Sequence, residues 1–217
     1  RASAYDGYID FRLGSEWRGW ETLVPQFNFD PSVSFSKILV PSIDTVRYSY
    51  NCDKMMLHQK SIFLTGKTGV GKSVIMGNLV DTMKENCNVH PLYITFSAQT
   101  RARMVQDNLE SKLSKIKKTL YGAPVNKIVN VIVEDVNMPL VEEYGAQPPV
   151  ELLRLFQDRK GIWRKEKADL FWVEVQDTTV VLVAGPPGGG RTNMTPRFTR
   201  YSTIFCMPET ATEVVTA

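Results

Sequence analysis

The sequence predicts an α/β fold whose core is a parallel sheet. Short apolar runs rich in β-branched and aromatic residues recur along the chain, and segments with apolar residues at helical spacing lie between them. Strands that are separated by helices are expected to run in the same direction, which makes the sheet parallel. The 217 residues are 43% hydrophobic and 23% charged, a composition typical of a globular domain with a buried core.

The N-terminal region differs in character from the rest of the chain. Residues 1–35 are rich in aromatic side chains without a helical period, which predicts short strands and turns packed on a larger body. An extended piece then enters a helix with Ser42 or Asp44 as its N-cap. We expect a connecting segment over residues 1–35, a main domain over residues 36–208 and a linker over residues 209–217. Because the chain begins without Met, we also expect it to be a piece of a longer protein.

Five strands are predicted in the main domain, at residues 62–64, 92–96, 128–133, 180–183 and 203–206. A helix is predicted beyond Lys72, where Ile75, Leu79 and Met83 recur every four residues. Two prolines at 148 and 149 are typical of the first turn of another helix. Alternation within residues 161–177 predicts a hairpin.

A further helix is predicted over residues 105–120, because apolar residues recur there at helical spacing. The apolar residues are Val105, Leu109, Leu113, Ile116 and Leu120. Lysines at 112, 115, 117 and 118 surround them, and we interpret these lysines as a solvated helix face rather than a phosphate-binding patch.

A phosphate loop is the strongest motif in the chain. Residues 66–73 match the pattern Gly-x4-Gly-Lys-Ser/Thr in full, between an apolar strand and a helix. The glycines let backbone N–H groups turn toward phosphate oxygens, and the following helix adds its positive N-terminal end. Lys72 should reach the β- and γ-phosphates, and the Ser73 hydroxyl should ligate Mg²⁺. We predict that ATP or ADP with magnesium is bound by Thr68, Gly69, Val70, Gly71, Lys72 and Ser73.

A phosphate loop needs carboxylates at the end of a neighbouring strand. The strand at residues 128–133 is followed by Glu134 and Asp135. We assign Glu134 to magnesium and Asp135 to the attacking water, although both could be surface acids at a strand end.

A glycine-rich loop, residues 185–191, follows the fourth strand. It lacks Gly-Lys-Ser/Thr and contains two prolines, which have no N–H to donate. We therefore predict a tight loop near the γ-phosphate rather than a second phosphate loop. Arg197 and Arg200 follow, and either could stabilise charge in a neighbouring subunit's site or cap a helix end.

The order of these motifs resembles an AAA+ module, and several strings are similar to the third AAA+ module of the motor ring of a dynein heavy chain. The similar strings are residues 38–48, 66–73, 136–139, 144–154 and 185–191. The strings Asn-Met-Pro, Tyr-Gly-Ala-Gln-Pro-Pro and Gly-Pro-Pro-Gly-Gly-Gly-Arg favour an axonemal over a cytoplasmic dynein.

This resemblance implies a five-stranded parallel sheet of an AAA+ large subdomain with an N-terminal extension. It also implies that backbone around Leu39 and Val40 clasps the adenine. Arg200, with Arg197, would be an arginine finger that faces the preceding module's nucleotide. The implied partners are neighbouring modules of the heavy chain, other dynein subunits and, through the full-length motor, microtubules. The implied location is the cytoplasm, the cytoskeleton and the axoneme of a cilium or flagellum, without direct contact with nucleic acid or membrane.

Three departures from the family pattern bear on hydrolysis. Glu134 stands where the family usually has Asp, and Asp135 where active members have Glu. Gly185 stands where a polar sensor is usual, and the family's small subdomain is expected to follow the chain. The resemblance therefore implies a regulatory module that binds nucleotide and hydrolyses it slowly or not at all.

Two other functions stay open from the sequence. One is a structural nucleotide site without turnover. The other is an AAA+ nucleic-acid remodeller, which would need a basic channel with aromatic side chains. The net charge of +3 is only mildly basic, and lysines 112–118 match such a channel poorly.

Overall fold

A computed structural model describes residues 7–10, 16–27, 38, 40–86, 88–166 and 169–209. In chain order its elements are β1 (Gly7–Asp10), β2 (Glu16–Gly19), a 3-10 turn (Trp20–Leu23), α1 (Ile43–Leu57), β3 (Ile62–Gly66), α2 (Lys72–Asn86), β4 (Val89–Thr95), α3 (Ala102–Lys112), β5 (Ser114–Lys117), β6 (Leu120–Gly122), β7 (Ile128–Glu134), α4 (Pro148–Arg159), β8 (Gly161–Glu166), β9 (Asp169–Gln176), β10 (Thr178–Ala184), α5 (Pro196–Thr199) and β11 (Thr203–Met207). Within these ranges, no helix combines the length and apolar character needed to cross a membrane.

The main sheet has five strands in the order β11-β3-β10-β7-β4, and every pairing is parallel. This confirms the predicted α/β fold and its five strands. All seven residues of β10 are buried, as expected for a central parallel strand that is covered on both faces.

Two hydrophobic clusters pack on opposite faces of this sheet. On one face, Met56 of α1 and Ile75 of α2 belong to the same buried cluster as Val181 and Val183 of β10. The other face carries α3 and α4, and Leu182 belongs to that cluster. Successive residues of β10 therefore contribute to alternate faces, as the two-residue period of a strand requires. Helices therefore cover both faces of the main sheet.

A capping box begins α1. The hydroxyl of Ser42 accepts a hydrogen bond of 3.2 Å from the N–H of Thr45, whose hydroxyl accepts one of 2.8 Å from the N–H of Ser42. Of the two predicted caps, Ser42 is therefore the N-cap, while Asp44 lies in the first turn. The Tyr48 hydroxyl donates a 3.0 Å hydrogen bond to the carbonyl of Cys206, which joins α1 to β11.

The predicted helix over residues 105–120 is wrong beyond Lys112. There α3 ends, Leu113 is extended, and β5 and β6 follow as an antiparallel pair. The apolar spacing continued past the helix end, but β6 pairs in parallel with β9, more than fifty residues later in the chain. Pairing with this distant strand outweighs the local helical period. The lysines at 115 and 117 therefore lie on an exposed strand rather than a helix face.

The hairpin predicted over residues 161–177 is confirmed as β8 and β9, which pair antiparallel. Together with β5 and β6 they form a second sheet in the order β5-β6-β9-β8. The predicted N-terminal strands are also present among the described residues, as the antiparallel pair β1 and β2. Trp20 is 3% exposed and stacks on Tyr8, and both rings contact Tyr50 of α1. Aromatic packing thus places this pair against α1.

Candidate nucleotide-binding site

Three loops meet at the carboxyl edge of the main sheet. They follow β3, β7 and β10, which are neighbours in the strand order. Because parallel strands end at the same edge, the residues that follow them are brought together. The N–H of Val136 donates a 3.1 Å hydrogen bond to the carbonyl of Val183, which holds the start of the loop after β7 against the end of β10.

A cavity of about 310 Å³ opens between these loops. It is lined by Thr68, Gly69, Gly71, Lys72, Ser73, Val74, Glu134, Asp135, Val183, Gly185 and Arg191. The structure therefore brings together most of the phosphate loop, both predicted acids and the glycine at the expected sensor position. This volume lies at the low end of the ~300–1,000 Å³ range of small-molecule sites.

The glycines of the phosphate loop have different physical roles. Gly66 has φ of 155°, and a Cβ there would lie 2.5 Å from the carbonyl oxygen of Met207, so the loop can leave the sheet only with glycine at this position. Gly69 and Gly71 have φ of 90° and 84°, which L side chains rarely adopt. A Cβ on either residue would meet no atom within 4 Å. The space over these two glycines is therefore open, and this open backbone fits a phosphate group.

Lys72 lies at the first position of α2, and its ammonium group contacts the loop itself. The Nζ atom donates hydrogen bonds of 2.7 Å to the carbonyl of Gly66 and 2.6 Å to that of Lys67. Burial lowers the pKa of Lys72 below its usual value, and the positive charge of Arg191 lowers it further, while the carboxylate of Asp135 opposes the shift. The ammonium group is thus held by the carbonyls of its own loop, and it feels both the negative charge of Asp135 and the positive charge of Arg191.

The two acids differ in backbone and in partner. Glu134 is the last residue of β7 and is half-buried. Asp135 follows the strand in a left-handed conformation with φ of 51°, which is uncommon for a residue other than glycine. An oxygen of the Asp135 carboxylate lies 3.2 Å from the guanidinium Nη2 of Arg191. This ion pair occupies the carboxylate that was predicted to orient the attacking water.

Arg191 is the site residue that sequence reasoning missed. The loop that carries it is tight, as predicted, since Gly188 and Arg191 exchange backbone hydrogen bonds of 3.0 and 3.1 Å. This turn returns the chain so that the Arg191 side chain lies against Gly185. The feature of the sequence that could have indicated this role is an arginine at the end of a glycine-rich loop that directly follows an apolar strand.

Two buried side-chain amides connect the loops that line the cavity. The Nδ2 atom of Asn137 donates to the carbonyl of Gly185 at 2.9 Å and to that of Thr192 at 3.3 Å. The side chain of Gln147 donates to the carbonyl of Pro139 at 2.6 Å and to the Thr192 hydroxyl at 2.9 Å. Both amides are more than nine-tenths buried. They connect the loops after β7 and β10 to the N-terminus of α4.

The other predicted site residues lie away from the cavity or outside the described part of the chain. Leu39 lies outside the described residues, and Val40 is 58% exposed. Val70 packs against the cluster beneath α1 and α2 instead of lining the cavity. Arg197 and Arg200 are exposed at α5 and its C-cap, and neither lines the cavity.

The fold and site together define a class. A five-stranded parallel sheet flanked by helices, with a phosphate loop after its first strand and acids at the end of the strand two places away in the sheet, is the large subdomain of a P-loop AAA+ protein. The family described as the P-loop containing dynein motor region matches residues 27–210, and the chain belongs to this family.

Curated relatives agree with this assignment. The chain is 45% identical to dynein axonemal heavy chain 6 of Homo sapiens over 189 residues, which are 87% of this chain and 4% of that protein. It is 38% identical to dynein axonemal heavy chain 12 of Rattus norvegicus over 92% of this chain and 6% of that protein. For dynein axonemal heavy chain 3 of Mus musculus the identity is 36%, over 100% of this chain and 5% of that protein. The chain thus spans about a twentieth of the length of these relatives.

Proposed function

We propose that this chain is an ATP- or ADP-binding AAA+ module of an axonemal dynein motor. The observation that carries the proposal is the open backbone over Gly69 and Gly71, beside Lys72 and two carboxylates in one cavity. Backbone N–H groups, a helix N-terminus and a lysine are the groups that bind di- and triphosphates. The names of the relatives support the axonemal motor.

Within this site, each side chain has a proposed role. Lys72 moves from the carbonyls of its own loop to the nucleotide phosphates, which are stronger acceptors because they are charged. Ser73 and Glu134 hold Mg²⁺ together with phosphate oxygens, since Mg²⁺ in proteins usually takes one or two carboxylates plus substrate phosphates. Asp135 orients the attacking water, and backbone around Leu39 and Val40 clasps the adenine.

At the level of the motor, we propose that the module is third in the ring and that its nucleotide state regulates microtubule-based movement. Arg200, with Arg197, contacts the nucleotide of the preceding module. Their exposure on and after α5, away from this chain's own cavity, suits a contact in trans. Other modules and dynein subunits are the direct partners, and microtubules are reached through the full-length motor at the axoneme.

A nucleotide site without turnover is the second candidate function. The ion pair between Asp135 and Arg191 favours it, because the carboxylate is not free to orient a water as long as this pair is intact. The absence of a side chain at Gly185 also removes one polar group from the cavity.

Calorimetry with MgADP and MgATP tests the proposed site. The variant Lys72→Ala should weaken binding of both nucleotides by at least ~2 kcal/mol, the cost of losing charge-assisted hydrogen bonds. The matched control is Lys84→Ala, an exposed lysine in the last turn of the same helix, which should bind like the unmodified chain. Equal affinities for the Lys72→Ala variant and the unmodified chain would show that this loop is not the site.

A further inference from the structure

The Arg191 side chain occupies the space that a side chain at position 185 would need. A Cβ added to Gly185 would lie 2.9 Å from Nε and 3.0 Å from Cδ of Arg191. These distances are shorter than ordinary contacts, so any side chain at position 185 would displace the arginine. Glycine at this position therefore opens the space that Arg191 occupies.

Arg191 has hydrogen-bonding capacity that the protein does not use. A guanidinium carries five N–H donors. Within the described part of the chain, Nη2 donates to Asp135 at 3.2 Å, while Nε is buried and has no hydrogen-bond partner. A buried donor without an acceptor is costly, and the cost is removed when an acceptor enters. The side chain is 28% exposed, lines the same cavity as Lys72 and Ser73, and is therefore open to a ligand in that cavity.

A terminal phosphate is a better partner for this arginine than Asp135. Arginine binds phosphate through two parallel hydrogen bonds, and the phosphate carries more charge than one carboxylate. The Asp135 carboxylate is 40% exposed and holds Arg191 through a single contact of 3.2 Å, so it is a modest competitor.

We propose that Arg191 is this chain's own ligand for the terminal phosphate of a bound nucleoside triphosphate, in place of the sensor side chain that Gly185 lacks. When Arg191 binds that phosphate, Asp135 is released. A diphosphate has no terminal group at this position and leaves the ion pair intact. The site thereby distinguishes triphosphate from diphosphate. This inference rests on the proposed nucleotide site.

Binding of two ligands to the whole chain tests the inference: the β,γ-imido analogue of ATP, which is not hydrolysed, and ADP, both with magnesium. The variant Arg191→Ala should lose ~10–100-fold in affinity for the analogue, as expected for a charged hydrogen-bonding pair. Its affinity for ADP should stay within ~3-fold, because the ADP phosphates bind to the loop of Lys72. The matched control is Arg103→Ala, an arginine 71% exposed on α3, which should change neither affinity.

A second variant distinguishes the loss of phosphate binding from a folding defect. Arg191→Gln keeps a polar side chain without the charge, and it should show the same selective loss for the analogue. Thermal unfolding of both variants shows whether the fold is kept.

A double-mutant cycle adds a result that a structural role of Arg191 would not produce. Asp135→Asn should raise the affinity for the analogue relative to ADP, because Arg191 no longer has a competing partner. In the Arg191→Ala background the same change should leave that ratio unaltered.

The outcomes separate this inference from the proposed site. Loss of both ligands to the same extent in Arg191→Ala, or no loss of either, would overturn the role of Arg191 while the nucleotide site stands. Failure of the unmodified chain to bind either ligand would overturn the nucleotide site and the inference with it.

Discussion

The side-chain amide of Asn137 donates a 2.9 Å hydrogen bond to the carbonyl of Gly185, and this contact joins the loop after β7 to the loop after β10. Asn137 is only 2% exposed, and it also reaches the carbonyl of Thr192 at 3.3 Å. The two loops carry Asp135 and Arg191, so this buried amide, together with the 3.0 Å hydrogen bond from the N–H of Thr192 to the carbonyl of Asn137, helps to hold these charged groups opposite each other.

Replacing Asn137 with Ala should lower the free energy of unfolding by ~1–3 kcal/mol, because buried carbonyls lose their donor. Urea unfolding measures this change. The control is Asn193→Ala, an exposed asparagine of the same loop, which should alter stability by less than ~0.5 kcal/mol. Equal stabilities of the two variants would show that the amide does not hold the loops together.

The two neighbouring acids should respond differently to loss of charge. Glu134→Gln should reduce the magnesium dependence of ATP binding, because a neutral amide is a weaker ligand for Mg²⁺. Asp135→Asn should not weaken binding but should slow turnover. Titrations with and without magnesium, together with a hydrolysis assay, measure both effects. Identical behaviour of the two variants would show that their assigned roles are wrong.

The 217-residue chain on its own should bind nucleotide and hydrolyse ATP more slowly than ~1 s⁻¹, the low end of ordinary enzyme turnover. Gly185 presents no side chain to the cavity, and the carboxylate proposed to orient the attacking water is on the short side chain of Asp135. An arginine finger from another module can contribute ~10³–10⁵ in rate, and a preparation of this chain alone supplies none in trans. Steady-state phosphate release measures the rate. A faster rate that disappears in Lys72→Ala would contradict the prediction, and the variant excludes a contaminating ATPase.

Two described cysteines should differ in reactivity. Burial raises the pKa of Cys52 from 9.0 to about 12, and its side chain is fully buried, whereas Cys206 is exposed. Only the thiolate is nucleophilic, so iodoacetamide at pH 8 should modify Cys206 and spare Cys52 until urea unfolds the chain. Peptide mass spectrometry locates the label. Rapid labelling of Cys52 in the folded chain would contradict its burial.

The raised pKa of Cys52 also makes the free energy of unfolding depend on pH. Because the pKa of Cys52 is higher in the folded than in the unfolded state, the contribution of the neutral thiol to the free energy of unfolding is fully present below pH 9.0 and is lost as the pH rises toward about 12.

Local patterns sufficed for the phosphate loop and the five strands. The phosphate-loop pattern of residues 66–73 is contiguous in the sequence, and an apolar run such as β10 indicates a central strand that is buried on both faces. The face of α2 that carries Ile75, Leu79 and Met83 was likewise visible from its spacing, and all three side chains are buried.

The sequence by itself determined the class of fold, the phosphate loop and the neighbourhood of Glu134 and Asp135, because those signals are local in the chain. Tertiary structure alone decided the end of α3 and the position of Arg191. Residues beyond Lys112 became strands because β6 found a partner in β9, and pairing between distant segments leaves no local period. Arg191 meets Asp135 across 56 positions, through a turn and a glycine whose missing side chain makes room for it.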